Sequence, residues 1–150
     1  MAAAGDFEDL VGEVEPRLRR AFVASHGVDG AADAVAEALA WAWEHRDEVR
    51  AMANPAGYLY RVGQSRSRIR RRPVLPPPEA LGLPEIEPQL IPALLDLSPP
   101  QRTAVWLVHA CQWRYAEVAE AMGISASAVG THVQRGLDHL RDRFEVRDRA

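Results

Sequence analysis

A cluster of prolines constrains this chain more than any other feature. Pro73, Pro76, Pro77, Pro78, Pro84 and Pro88 fall between residues 73 and 88. Proline lacks an amide donor and disfavours helix at the residue before it, so the stretch can continue neither a helix nor an internal strand. It predicts an extended linker, 73–88, between two blocks, 1–72 and 89–150. Neither block alternates polar and apolar residues over any length, and both repeat apolar residues at helical spacing. The expected fold is therefore all-α: two small helical domains joined by a Pro-rich linker.

In the first block Phe7, Leu10, Val11, Val14, Leu18 and Phe22 share one helical face, and a loop is expected around His26–Gly30. Ala31 to Glu48 is alanine-rich, a strong helix former, with Val35, Leu39 and Trp43 spaced four apart. Asn54-Pro55 offers an N-cap followed by proline at the first helical position, which starts a third helix toward Arg72.

The second block predicts four helices. Leu90–Leu97 is short. Ser98-Pro99-Pro100-Gln101 reads as a capping box opening a helix to about Ala110. Tyr115–Met122 follows, ended by Gly123. Ser125 then caps a last helix toward Phe144, which buries Val129, Val133, Leu137 and Leu140.

The stretch Tyr115–Leu137 carries the constraints of a helix-turn-helix. Ala119 is small where two helices cross, Gly123 supplies the turn, and Ile124 plugs it, while Val129 and Val133 bury the second helix. That leaves Ser127, Thr131, Gln134 and Arg135 outward, where a recognition helix meets base edges and phosphates.

A net charge of −3 hides a sharp division. Residues 1–60 carry −6, residues 61–72 carry +6, residues 73–97 carry −4 and residues 98–150 carry +1. The basic stripe is Arg61, Arg66, Arg68, Arg70, Arg71 and Arg72, with no acid among them, and arginine binds phosphate bidentately. No run of eighteen apolar residues predicts a membrane span. Met1–Asp6 lacks the pattern of a secretory signal, and a single cysteine, Cys111, fits a reducing cytoplasm. Trp41, Trp43, Trp106 and Trp113 read as core or interface, and Cys111 as a packed residue. His132 and His139 share a helix face without completing a zinc set. No metal, cofactor or catalytic constellation is expected.

These motifs together resemble the extracytoplasmic-function sigma factors of the sigma-70 family. The closest likeness lies in Leu97–Arg102, Tyr115–Glu120, Gly123-Ile124-Ser125, Ala128-Val129, Thr131-His132-Val133 and Arg135-Gly136-Leu137. That signature overlaps LuxR-type regulators, so the first block discriminates. There Asp33, Val35, Glu37, Leu39 and Trp43 resemble the helix that grips the clamp helices of RNA polymerase. Asn54-Pro55, Tyr58–Val62 and Arg70-Arg71-Arg72 resemble the helix that meets the minus-ten element.

The resemblance implies a non-enzymatic initiation factor. Its first domain would bind core polymerase through Asp33, Glu37 and Trp43. It would hold the opened minus-ten strand with Tyr58, Tyr60, Arg61, Arg66, Arg68, Arg70, Arg71 and Arg72. Its second domain would read the minus-thirty-five duplex with Arg114, Tyr115, Ser125, Ser127, Thr131, His132, Gln134 and Arg135. Promoter DNA, core RNA polymerase and an anti-sigma factor are the implied partners. The alternative is a sigma-like or LuxR-like regulator that binds DNA without initiating transcription. Four departures from the family pattern stand out. Gly63-Gln64-Ser65-Arg66 replaces a stretch that usually carries Asn and Asp, and Ala36 replaces Gln. Gly130 stands where Lys or Arg is usual, and Arg114 where a Ser or Thr cap is usual.

Overall fold

The computed structural model describes residues 2–67 and 90–148, and every regular element among them is helical. The linker expected at 73–88, and Arg68, Arg70, Arg71 and Arg72 with it, lie outside the described residues. The helices are α1 (Ala2–Glu44), α2 (Arg46–Ala51), α3 (Pro55–Arg66), α4 (Leu90–Asp96), α5 (Pro99–Val105), α6 (Tyr115–Met122) and α7 (Ala126–Asp148).

The expected loop at His26–Gly30 is instead a sharp kink. Helix α1 continues through it and changes direction at Gly27 (φ 73°, ψ 177°), the one position in this helix whose backbone demands glycine. Helical structure on both sides is held across the kink by a partly buried polar chain. His26 donates from Nε2 to Ser67 Oγ (2.8 Å), its Nδ1 accepts from Ser25 Oγ (2.7 Å), and Ser67 Oγ donates to the Gly63 carbonyl (2.6 Å). Burial holds the His26 pKa below its usual value, which suits the neutral ring this chain of bonds requires.

Pro55 opens α3 as expected, but the Asn54 side chain makes no capping hydrogen bond. In the second block the expected caps are present. Ser98 Oγ accepts the Gln101 amide (3.4 Å) and Ser125 Oγ accepts the Ala128 amide (3.0 Å). Gly123 takes the left-handed conformation (φ 66°) that ends α6. Helix α5 passes into a π-turn, Trp106–Ala110, before Gln112 adopts a positive φ of 58°.

Helix α3 is sandwiched. Its Gly63 side lies on α1, where an added Cβ would sit 2.6 Å from Phe22 Cζ and 2.8 Å from the Ala34 carbonyl oxygen. Its Gly57 side lies on α6, where an added Cβ would sit 2.5 Å from the Glu117 carbonyl oxygen. Both glycines work by letting backbones approach. Tyr60 fills the centre, stacked on Phe22 (4.5 Å) and edge-on to Trp113 (6.0 Å). One hydrophobic cluster therefore runs from Val14 and Leu18 through Leu59 and Tyr60 into Leu107, Val118 and Val129.

Gly130 differs from these packed glycines. A Cβ there would meet only the Tyr115 ring at 3.5 Å, an ordinary contact. Because glycine costs about 1 kcal/mol relative to alanine inside a helix, Gly130→Ala is expected to stabilise the fold by ~0.5–1 kcal/mol. Calorimetry should show Tm rising by about 2–4 °C; a fall would mean that the crossing of α7 over Tyr115 is tighter than this geometry allows.

Candidate nucleic-acid interface

Helix α7 owes its orientation to α6. Val118 and Ala121 on α6 and Val129, Val133 and Leu140 on α7 are buried, and the left-handed turn at Gly123 directs one helix across the other. Glu117 anchors the start of α6. Its Oε1 accepts the Arg114 amide (3.2 Å) and lies 3.4 Å from Arg114 Nε, so the carboxylate three residues along supplies one half of a capping box, the bond to the N-cap amide. The other half, an acceptor for the Glu117 amide, is missing as expected, because the Arg114 guanidinium can only donate.

The burial pattern sets the outward side of the helix-turn-helix apart. Arg114, Tyr115, Ser125, Ser127, Thr131, Gln134 and Arg135 are exposed and His132 is half-buried. Several of their polar atoms already have local partners. Ser125 is used as the cap, Thr131 Oγ1 donates to the Ser127 carbonyl (3.2 Å), and Gln134 Nε2 donates to Asp138 Oδ1 (3.0 Å). The Arg135 side chain makes no ion pair or hydrogen bond among the described residues, which leaves its guanidinium fork free for phosphate or a guanine edge.

A second basic surface lies on α3. An open cleft of about 270 Å³ is lined by Trp41, Tyr58, Arg61, Val62, Ser65 and Arg66. Trp41 stacks on His45 (4.0 Å) and tilts toward Tyr58 (5.4 Å), so aromatic walls face two exposed arginines. Tyr58, Arg61 and Arg66, expected from the sequence, meet here. Trp41, Val62 and Ser65 were not anticipated at the site; the i, i+4 spacing of Tyr58, Val62 and Arg66 was the signal that they share a face.

Tyr60 does not join them. Two residues along a helix is a rotation of about 200°, so it points away from Tyr58 into the core, where it is 1% exposed. Its ring offers no face to a base in this arrangement, and burial pushes its hydroxyl pKa above the usual value.

The acidic pair on α1 lies at the surface. Asp33 and Glu37 are exposed one turn apart and make no ion pair among the described residues. Trp43 is 47% exposed, yet it lies about 120° around the helix from Glu37. It packs edge-on to Phe7 (5.0 Å) under the Arg46 guanidinium (4.5 Å). The three expected polymerase contacts thus occupy two neighbouring faces. Cys111 is largely buried, and that burial raises its thiol pKa to about 12, as befits a packed residue.

Known proteins resemble this arrangement at both scales. The family described as sigma-70, region 4 matches residues 89–140. The RNA polymerase sigma-E factor of Streptomyces antibioticus is 41% identical over 59 residues, which make up 39% of this chain and 33% of that protein. The sigma factor RpoE from Bartonella quintana, in its co-crystal structure with the anti-sigma factor NepR, matches the fold with a TM-score of 0.67 at 25% identity. That likeness covers 94% of this chain and 98% of RpoE. No described helix is long and apolar enough to cross a membrane. With a sigma-70 region 4 match at residues 89–140 and an RpoE-like fold over nearly its whole length, the chain is similar to the extracytoplasmic-function sigma factors of the sigma-70 family.

Proposed function

We propose that the chain directs bacterial RNA polymerase to specific promoters and initiates transcription there. Residues 1–72 form the unit that docks on core polymerase and holds the opened minus-ten strand. Residues 73–88 are the tether, and residues 89–150 read the minus-thirty-five duplex. The observation that carries this reading is the outward face of the helix-turn-helix, with seven of its eight candidate residues exposed and the Arg135 guanidinium unpartnered among the described residues. The cleft under Tyr58, Arg61 and Arg66 adds aromatic faces and positive charge, the pair of features that single-strand capture requires. Arginine contacts to phosphate supply most of the affinity, and a few contacts from α7 supply the specificity. The partners are promoter DNA, core polymerase and an anti-sigma factor, as NepR is for RpoE.

Run-off transcription with core polymerase and genomic DNA fragments tests the proposal: discrete transcripts that require the chain are the expected result. Binding to core without transcripts would instead favour the sigma-like regulator, a reading that the burial of Tyr60 recommends as the second choice.

Arg135 gives a finer test. Arg135→Ala is expected to weaken promoter binding by about 1–3 kcal/mol, whereas Arg20→Ala, on the acidic first half, leaves it unchanged. Gel-shift titrations at fixed salt compare the two, and equal affinities would remove Arg135 from the reading surface.

A further inference from the structure

Trp41, a core or interface residue by its sequence, lines the open cleft on α3 together with Tyr58, Arg61, Val62, Ser65 and Arg66. It is the one lining residue that α3 does not supply, since α1 sends it across from the opposite side.

The indole is held in place from one side. His45 lies parallel to it, with ring centroids 4.0 Å apart and planes 12° apart, and His45 Nδ1 donates to the Trp41 carbonyl at 2.9 Å. That cover leaves the indole little freedom to swing. On its way to α3 it meets Tyr58 at 5.4 Å with a tilt of 43°. His45, Trp41 and Tyr58 therefore form one aromatic wall that crosses from α1 to α3.

The other tryptophans are committed elsewhere. Trp106 donates its Nε1 to the Arg20 carbonyl (3.0 Å), and Trp113 buries its Nε1 in the core without a partner. Trp43 packs between Phe7 and Arg46. Trp41 is half-buried, and its N–H is accessible and makes no hydrogen bond among the described residues. A ring with apolar surface and a free donor is thus left beside the cleft.

Positive charge flanks this wall. At about 100° per residue, Tyr58, Val62 and Ser65 form one row along α3, with Arg61 about 60° to one side and Arg66 about 80° to the other. Both arginines are exposed, and neither forms an ion pair among the described residues. No carboxylate lines the cleft; Glu37, on the same side of α1, stands one turn before Trp41. Guanidinium groups on either side of an aromatic surface suit a phosphodiester chain, because guanidinium binds phosphate bidentately while an aromatic ring accepts any base.

We propose that Trp41 is a strand-contact residue, held by His45 as its positioning residue, and that it completes from α1 the cleft that Tyr58, Arg61 and Arg66 open on α3. The indole offers apolar surface to a base, and its N–H donates to a phosphate or a base carbonyl. The role rests on the reading of this cleft as the strand-binding site, and the strand grip then depends on a residue outside the arginine-bearing helix.

Fluorescence anisotropy of a labelled, sequence-randomised single strand of about 12 nucleotides, within the site sizes such grooves cover, tests the contact. The full chain is saturated with core polymerase, and core alone serves as the blank. Trp41→Ala is expected to weaken strand binding at least about fivefold, the scale of one lost base–aromatic contact. Trp41→Leu, which keeps bulk without an aromatic face, carries the same expectation should the alanine variant lose helicity. Trp41→Phe, which keeps a ring but no N–H, should fall between. His45→Ala should weaken binding about two- to fivefold, and His45→Phe should restore it by keeping a ring against the indole. Capture of core polymerase should stay at the wild-type level throughout. The proposal is overturned if Trp41→Ala and Trp41→Leu bind the strand as the wild type does while Tyr58→Ala, Arg61→Ala or Arg66→Ala weakens it. It is also overturned if replacing Trp41 lowers capture of core polymerase and leaves strand affinity unchanged, which would assign the residue to the docking face of Asp33 and Glu37. A wild-type chain that adds no strand binding to core alone would sink the strand-binding reading itself, and the role of Trp41 with it.

Discussion

Gly63→Leu is expected to lose on the order of 3 kcal/mol of stability, a substantial part of the roughly 5–15 kcal/mol that holds a domain of this kind together. The position looks tolerant from sequence, because glycine is a poor helix former and α3 would gain propensity from any replacement. Packing decides otherwise. Already at Cβ the new side chain would stand 2.6 Å from the buried Phe22 ring and 2.8 Å from the Ala34 carbonyl oxygen. One neighbour is a fully buried ring stacked on Tyr60 and the other is backbone, so neither can yield cheaply. Urea unfolding followed by circular dichroism measures the loss, and Gly63→Ala should fall between the wild type and the leucine variant. A leucine variant as stable as the wild type would mean that α1 and α3 are farther apart than this packing places them.

The second large effect is expected at the acidic face of α1. Reversing both charges, Asp33→Arg with Glu37→Arg, should leave helicity and Tm unchanged, since both side chains are exposed and neither forms an ion pair among the described residues. Binding to core polymerase should nevertheless fall by at least about tenfold, because like charges brought together at an interface cost several kcal/mol. Pull-down or surface-immobilised binding with core polymerase reads this directly. Wild-type capture by the reversed variant would move the docking surface elsewhere. Trp43, a third of a turn away and sandwiched between Phe7 and Arg46, would then be the next residue to replace.

Much of the second half is legible along the chain. Ser98, Ser125, Gly123 and the Val129–Val133 spacing are local signals: each is satisfied within a few residues, by a cap, a left-handed turn or a helical face. The bounds of α6 and the exposure of Arg135 follow from them. The first half is less so. Glycine and aspartate interrupt the apolar pattern at His26–Gly30 and suggest a loop, yet one residue, Gly27, absorbs the change of direction while its neighbours remain helical. At Asn54 a capping residue stands in place and its side chain goes unused. At Arg114 the cap position has no acceptor to offer, and Glu117 three residues on accepts the Arg114 amide instead.

Helical class, the helix-turn-helix and the identity of its outward side chains could all be read from residue order, because helical period, capping and turn chemistry are properties of neighbouring residues. Which face of α3 stays free could not. Tyr58 and Tyr60 are equivalent in any sequence pattern, but Gly63 draws α3 onto α1 and Gly57 draws it onto α6. Between them Tyr60 is enclosed, while Tyr58, Arg61 and Arg66 are left around the cleft. The tie from Arg17 to Glu117 spans 100 residues. No local rule encodes such a contact, because its energy exists only after the two halves have met and water has been driven from between them.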